Sequence, residues 1–280
     1  MKKRYTQAPL PFQGQKRYFA SSFVEILKEL QTPPSIVIDL FGGSGLLSHK
    51  AKEVLPDSRV IYNDYDDFHI RLLNIDRTNK LIADLRAIII NTKRDQKLLP
   101  AERLLVLQRI ENEAKTGYVD YITISSSLLF SCNYALTFEE LAKSVLYNTV
   151  RMSDYNVDPS DYLAGLEISK CDYMELYNKY KDVPGVIFVI DPPYLSTDTK
   201  TYNSDQYWKL KDYLNVLKVL QKNKFVFFTS NKSSLIELCK WFEENTGFEN
   251  PFSDAILQTH QNGITRNAKY TDMMLYKLSA

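Results

Sequence analysis

The chain lacks three things that would point elsewhere: paired cysteines, an excess of one charge, and an apolar run of membrane length. Its three cysteines, Cys132, Cys171 and Cys239, lie far apart, with no C-x-x-C spacing among them. That argues against a disulfide framework or a zinc site and fits a reducing, cytoplasmic setting. His49, His69 and His260 are scattered and suggest no metal cluster. Lysine and arginine number 35 against 34 acids, a formal net charge of +1. Any nucleic-acid footprint must therefore be local. The opening MKKRYTQAPLPF is charged and has no apolar stretch of the kind a secretory signal needs. No segment approaches the roughly 20 apolar residues that span a bilayer, so no membrane partner is expected.

What remains is a globular composition, 44% hydrophobic and 25% charged over 280 residues. That is long enough for one large α/β domain, or for a core domain with an insert. The patterning favours the second. The segment from Ser22 to Leu30 has helical spacing, Ile36 to Leu40 is a short β-branched run, and the chain then breaks on GGSG, Gly42 to Gly45. A helix (LLSHKAKEVL) and a strand (SRVIYND) follow. Strand, glycine turn, helix, strand is a βαβ unit and implies a parallel sheet with a right-handed crossover. Residues 76–165 read as a mostly helical insert, and sheet patterning resumes with EISKCD, GVIFVID, KFVFFTSN and DMMLYKL. Residues 1–75 and 166–280 are thus expected to form one domain around the insert.

In such sheets ligands sit beyond the carboxyl ends of the strands. The turn in DLFGGSG brings Gly42, Gly43 and Gly45 to that edge with a helix N-terminus behind them. It is neither a Walker P-loop nor a GxGxxG fingerprint. The acid comes first, at Asp39, which suits an amine-bearing ligand better than a pyrophosphate. On its own, the turn could equally be a packing device between helix and strand. Asp64, closing the second strand about twenty residues on, stands where an acid accepts ribose hydroxyls, although helix capping is also open to it and to Asp66 and Asp67.

The strongest apolar strand, Val186 to Ile190, ends on Asp191, Pro192, Pro193 and Tyr194. The prolines stiffen the corner and contribute no N–H. It therefore offers acceptors, the Asp191 carboxylate and the Pro192 carbonyl, beside an aromatic face. Such a corner suits an –NH2 group on a flat ring.

With DPPY and DLFGGSG in this order, the chain resembles the Dam-type, D12 class of DNA adenine N6-methyltransferases in their alpha motif order. PLPFQGQKRYF, Pro9 to Phe19, is similar to the segment these enzymes place before the glycine motif. The resemblance implies a Rossmann-like S-adenosylmethionine-dependent methyltransferase sheet with helices on both faces. It also implies S-adenosyl-L-methionine as cofactor and double-stranded DNA as partner, and it leaves room for a cognate restriction endonuclease. Phe12, Gly14, Lys16, Asp39, Phe41, Gly42, Gly43, Gly45, Asp64 and Asp172 fall on its cofactor-binding positions. Asp191, Pro192, Pro193 and Tyr194 fall on the catalytic motif, and Tyr202 could close over the target base. The insert would read the target sequence, yet it lacks the Asn-Arg-Asn and Pro-Phe-Gly features of GATC readers. RNA adenine, cytosine N4, or a DNA-binding relative without catalysis stay open as alternatives.

Overall fold

The computed structural model describes residues 5–130, 133–194, 208–221, 223–265 and 268–278, with the side chains of 262–269 left out. Along the chain, α1 (Ala20–Lys28) precedes β1 (Ile36–Asp39), and the glycine turn leads to α2 (Leu46–Val54) and β2 (Arg59–Asn63). Helices follow: α3 (Phe68–Leu73), α4 (Ile75–Ile88), α5 (Pro100–Thr116), α6 (Tyr121–Ser126), α7 (Phe138–Lys143) and the single turn α8 (Pro159–Tyr162). The chain then forms β3 (Leu166–Ser169), α9 (Tyr173–Tyr180), β4 (Val186–Ile190), α10 (Leu210–Leu220), β5 (Lys224–Ser230) and α11 (Leu235–Thr246). It closes on an antiparallel pair, β6 (Ile256–Thr265) and β7 (Ala268–Lys277).

Two compact units emerge. One holds the described residues up to Gln15 together with 67–162, and the other holds 16–66 and the described residues from Leu163 onward. The second contains a seven-stranded sheet of order β3-β2-β1-β4-β5-β7-β6. Strands β1 to β5 pair in parallel, and β7 runs antiparallel between β5 and β6. This is the α/β methyltransferase-type sheet that the resemblance implies.

The sequence pattern explains the layers. Every side chain of β1 and β4 is buried, as a parallel strand covered on both faces requires. Val37, Val60, Val189 and Val226 point to the side packed by Phe23, Ile26 and Leu27 of α1 and Leu47 and Ala51 of α2. Ile38, Phe188, Ile190 and Phe227 alternate to the other side, against Leu176, Val216, Leu217 and Leu235. Each large side chain removed from water in this way contributes about 1.5–3 kcal/mol.

Topology fixes where a ligand can bind. From β1 the chain moves outward through β2 to β3, and it then returns to the opposite flank of β1 as β4. The carboxyl ends of β1 and β4 therefore border the point where the winding reverses, and a crevice opens there in sheets of this kind.

The helical unit has its own core, with Leu81, Leu85, Val106, Ile110, Ile124 and Leu141 among its buried residues. Asp120 caps α6 by accepting the Thr123 N–H at 3.1 Å and also pairs with the buried Arg71 at 3.0 Å. Arg71 in turn donates to the Pro11 carbonyl at 2.7 Å, which ties the early segment to these helices.

Two elements of the sheet unit were not expected from the sequence. Strand β6 lies at a sheet edge, and its apolar residues Ile256 and Leu257 are exposed, so no buried face marks it. Helix α9, YMELYNKY, buries only Leu176 and Tyr177, and its tyrosines dilute the helical period.

Candidate active site

The glycine turn is moulded onto one aromatic ring. Tyr62, fully buried in β2, donates its hydroxyl to the Gly43 carbonyl at 2.7 Å. A Cβ on Gly42 would lie 2.2 Å from Tyr62 Cδ2, which no real side chain allows. Gly43 and Gly45 adopt φ values of 49° and 70°, a left-handed conformation that glycine tolerates best. The Gly45 N–H closes the turn on the Gly42 carbonyl at 2.7 Å, and α2 starts immediately afterwards. Asn63 secures the neighbouring strand ends: its amide donates to the carbonyls of Leu40 and Cys171, both at 3.0 Å, and it accepts the Cys171 N–H at 3.1 Å. The sequence reading missed Tyr62 and Asn63. Their signal was a polar, aromatic pair at the end of an apolar strand.

Asp39 ends β1 beneath this turn. It is 1% exposed. Its Oδ2 accepts from the Ser48 hydroxyl at 2.7 Å, while Oδ1 makes no hydrogen bond among the described residues. Burial pushes its carboxyl up to about 7, with the Ser48 hydroxyl working against the rise and the Asp191 charge adding to it. A carboxylate oxygen left bare inside a protein is costly, unless a donor arrives to meet it.

Asp191 follows β4 on the adjacent strand. Asp39 pairs in register with Val189, so both acids stand at the same sheet edge. Asp191 forms an ion pair with the ammonium of Lys16, whose side chain is 9% exposed. Burial raises the Asp191 carboxyl to about 6, and the Lys16 charge opposes that rise. The pair engages Oδ2. A carboxylate has two oxygens and about four lone-pair sites, so Oδ1 is left for a second donor. The Lys16 ammonium also lies 5.5 Å from the centroid of the Tyr194 ring. Pro192 is buried, and Pro193 and Tyr194 are half-buried at the corner.

The remaining expected residues are placed as follows. Asp64 directly follows β2, is fully enclosed, and donates its N–H to the Ser169 carbonyl at 2.8 Å. Asp172 is exposed and caps α9, accepting the Met174 N–H at 2.8 Å. Phe41 joins an aromatic group, 4.8 Å from Tyr173 and 5.6 Å from Trp208 between ring centroids. Tyr173 and Trp208, stacked at 5.4 Å, were not singled out in the sequence. Lys16, grouped there with the cofactor residues, pairs with Asp191. Phe12 and Gly14 belong to the helical unit, where Phe12 lies edge-on to Phe68 at 5.7 Å. Tyr202 lies outside the described residues.

Among the described residues no group of three or more His, Cys, Asp or Glu could hold a metal ion, and no helix is long and apolar enough to cross a membrane.

Two comparisons bear on this arrangement. A Haemophilus influenzae protein named "Putative methyltransferase" is 35% identical over 289 aligned positions, covering 99% of this chain and 94% of the relative. The model of the D12 class N6 adenine-specific DNA methyltransferases matches residues 12–261, a span that takes in both the glycine turn and the Asp191 corner. A match over that much of the chain, on a sheet of this topology, settles its membership: the chain belongs to the D12 class N6 adenine-specific DNA methyltransferase family.

Proposed function

We propose that this protein transfers a methyl group from S-adenosyl-L-methionine to the N6 amine of an adenine flipped out of double-stranded DNA. The observation that carries the reading is the placement of two carboxylates, the buried Asp39 and the partly buried Asp191, at the carboxyl ends of adjacent strands. One lies under a glycine turn and the other at a donor-poor Pro-Pro corner.

The residues present fit the cofactor. The bare Oδ1 of Asp39 suits the ammonium of its methionine part, and the turn from Phe41 to Gly45 brings backbone close to the same place. When bound, the cofactor supplies an electrophilic methyl group on its sulfonium. Asp172, which spends one oxygen on the α9 cap, can accept from the adenine amine of the cofactor with the other. Asp64 is assigned to the ribose, and its surroundings must open to admit one.

Adenine N6 is a weak nucleophile because its lone pair is delocalised into the ring. Asp191 Oδ1 and the Pro192 carbonyl accept its two hydrogens, draw the nitrogen toward tetrahedral geometry and aim the freed lone pair. The bond to Asp191 is charge-assisted and the stronger of the two. Holding donor and acceptor in line supplies much of the remaining rate gain. Extracting the base costs a few kcal/mol, and stacking on Tyr194 returns about 1–3 kcal/mol. Tyr194→Ala should therefore weaken DNA binding about tenfold and leave cofactor affinity unchanged, as titrations of the two ligands would show. The helical unit is assigned to target reading.

The titration of Asp39 gives a second expected result. Its ionised form binds the ammonium, so apparent cofactor affinity scales with the ionised fraction. With the carboxyl at about 7, affinity should rise about tenfold between pH 6 and pH 8, and Asp39→Asn should abolish that rise. Calorimetry across the range reads it, and Asp191→Asn should keep the limb but move it to lower pH, because the Asp191 charge adds to the rise at Asp39. Without ligand the sign is opposite. Both carboxyls lie above their ordinary value of 3.8, so their contribution to stability is full below about pH 4. It is lost as pH rises through about 6 for Asp191 and about 7 for Asp39.

The reading is tested by expressing the gene in a methylation-deficient host and mapping modified bases along single DNA molecules. N6-methyladenine at one sequence context is expected. N4-methylcytosine, or unmodified DNA alongside methylated RNA, would replace the substrate named here.

A further inference from the structure

Beside Asp191 the sheet unit carries two cations that the chemistry above does not use. Arg17 directly follows Lys16. Its guanidinium lies 4.7 Å from the centroid of the Tyr18 ring and donates to the Tyr18 hydroxyl at 2.7 Å. Tyr18, 49% exposed, stacks on His260 of β6 at 4.3 Å with 15° between the planes. His260 pairs in register with Asp272 of β7, and Asp272 with Ser230, the last residue of β5. Lys232 stands just past that end, its ammonium 4.7 Å from the centroid of Tyr270. Asn231 and Thr271 fasten this corner through two hydrogen bonds of 2.9 Å. The line of residues thus runs from the end of β5 across the middle of β7 to the middle of β6.

Among the described residues some cations of the sheet unit are neutralised in place, while others, such as Lys179 over Tyr180, are not. Arg59, Lys50, Lys240 and Lys277 each meet a carboxylate. Arg17 and Lys232 form no ion pair among the described residues, and both are exposed. A flat aromatic under each cation limits the conformations it must give up on binding, and cation–π contact holds it without consuming its charge. Cations placed this way, in a chain with net charge of only +1, are the local footprint a polyanion needs.

We infer that Arg17 and Lys232, carried on Tyr18 and Tyr270, bind backbone phosphates of the nucleic acid on either side of the target base. This rests on the function proposed above and adds which surface grips the strand while the base is held at Asp191. Contacts of this kind position the strand and carry no sequence information, so they act on any DNA.

The test is the salt dependence of binding to a short duplex of arbitrary sequence. Each phosphate neutralised contributes about 0.9 to the slope of log K against log salt. The double substitution Arg17→Ala/Lys232→Ala should lower the slope by about two, while S-adenosylmethionine affinity measured on the same preparation stays at the wild-type value. Arg17→Lys/Lys232→Arg should restore the slope, and Lys240→Ala on α11 should leave it unchanged. An unchanged slope in the double alanine variant overturns this inference and leaves the proposed function standing. So does a drop of about one from Lys240→Ala, half that of the double variant, which would show that only net charge matters. Wild-type protein that binds no DNA at any salt concentration removes both.

Discussion

Replacing Asp191 with alanine should stop methyl transfer, lowering turnover by about 10³-fold, since losing even one fixed electrostatic partner of a transition state costs about 10²–10³-fold. Cofactor affinity should stay near the wild-type value, because the turn that would hold it is built by Asp39, Tyr62 and the glycines. The alanine variant carries a second consequence. It strands the Lys16 ammonium, which is 9% exposed, and an uncompensated buried charge costs about 3–5 kcal/mol. Thermal unfolding should therefore shift to lower temperature for Asp191→Ala, and less for Asp191→Asn, which retains an acceptor for Lys16. Single-turnover assays on both variants separate the two effects. A folded Asp191→Asn enzyme with wild-type turnover would remove the proposed role of the carboxylate.

Gly42→Ala should be nearly as damaging, by a different route. The added methyl would meet Tyr62 at 2.2 Å, and the ring has nowhere to go. It is fully buried, and its hydroxyl is held by the Gly43 carbonyl. Either the turn lifts or the ring leaves its hydrogen bond. Overpacking of this sort costs about 1–3 kcal/mol, or roughly 5 °C in Tm for a domain of this size. A lifted turn should also lose cofactor affinity by more than about tenfold, because ligand contacts made by backbone tolerate little displacement. The cause can be isolated with a double-mutant cycle. In a Tyr62→Leu background, Gly42→Ala should cost measurably less than it does alone. Strict additivity of the two substitutions would show that Tyr62 is not what forbids a side chain at position 42.

Much of the chemistry was legible in the residues themselves. The run Ile36 to Asp39, the glycine break and the strand to Asn63 read directly as a βαβ unit, because apolar content, β-branching and glycine each act over short range. Val186 to Ile190 reads as central because all five side chains are apolar, and it is flanked by strands on both sides. Strand β6 could not be read in this way. Its pairing with β7 makes it a strand, and its own exposed Ile256 and Leu257 carry no sign of a buried face.

The amino-acid sequence by itself determined the parts: an acid before a glycine turn, an acid before two prolines, and the family they share. Only the tertiary structure decided what those parts touch. The return of the chain across β1 makes β4 its neighbour and brings Asp39 and Asp191 to one edge, although many residues separate them along the chain. The same folding sets Lys16 on Asp191 and Tyr62 beneath Gly42. Local pattern cannot specify such contacts, because they depend on which strands lie side by side, and that is set by burying two faces of one sheet at once.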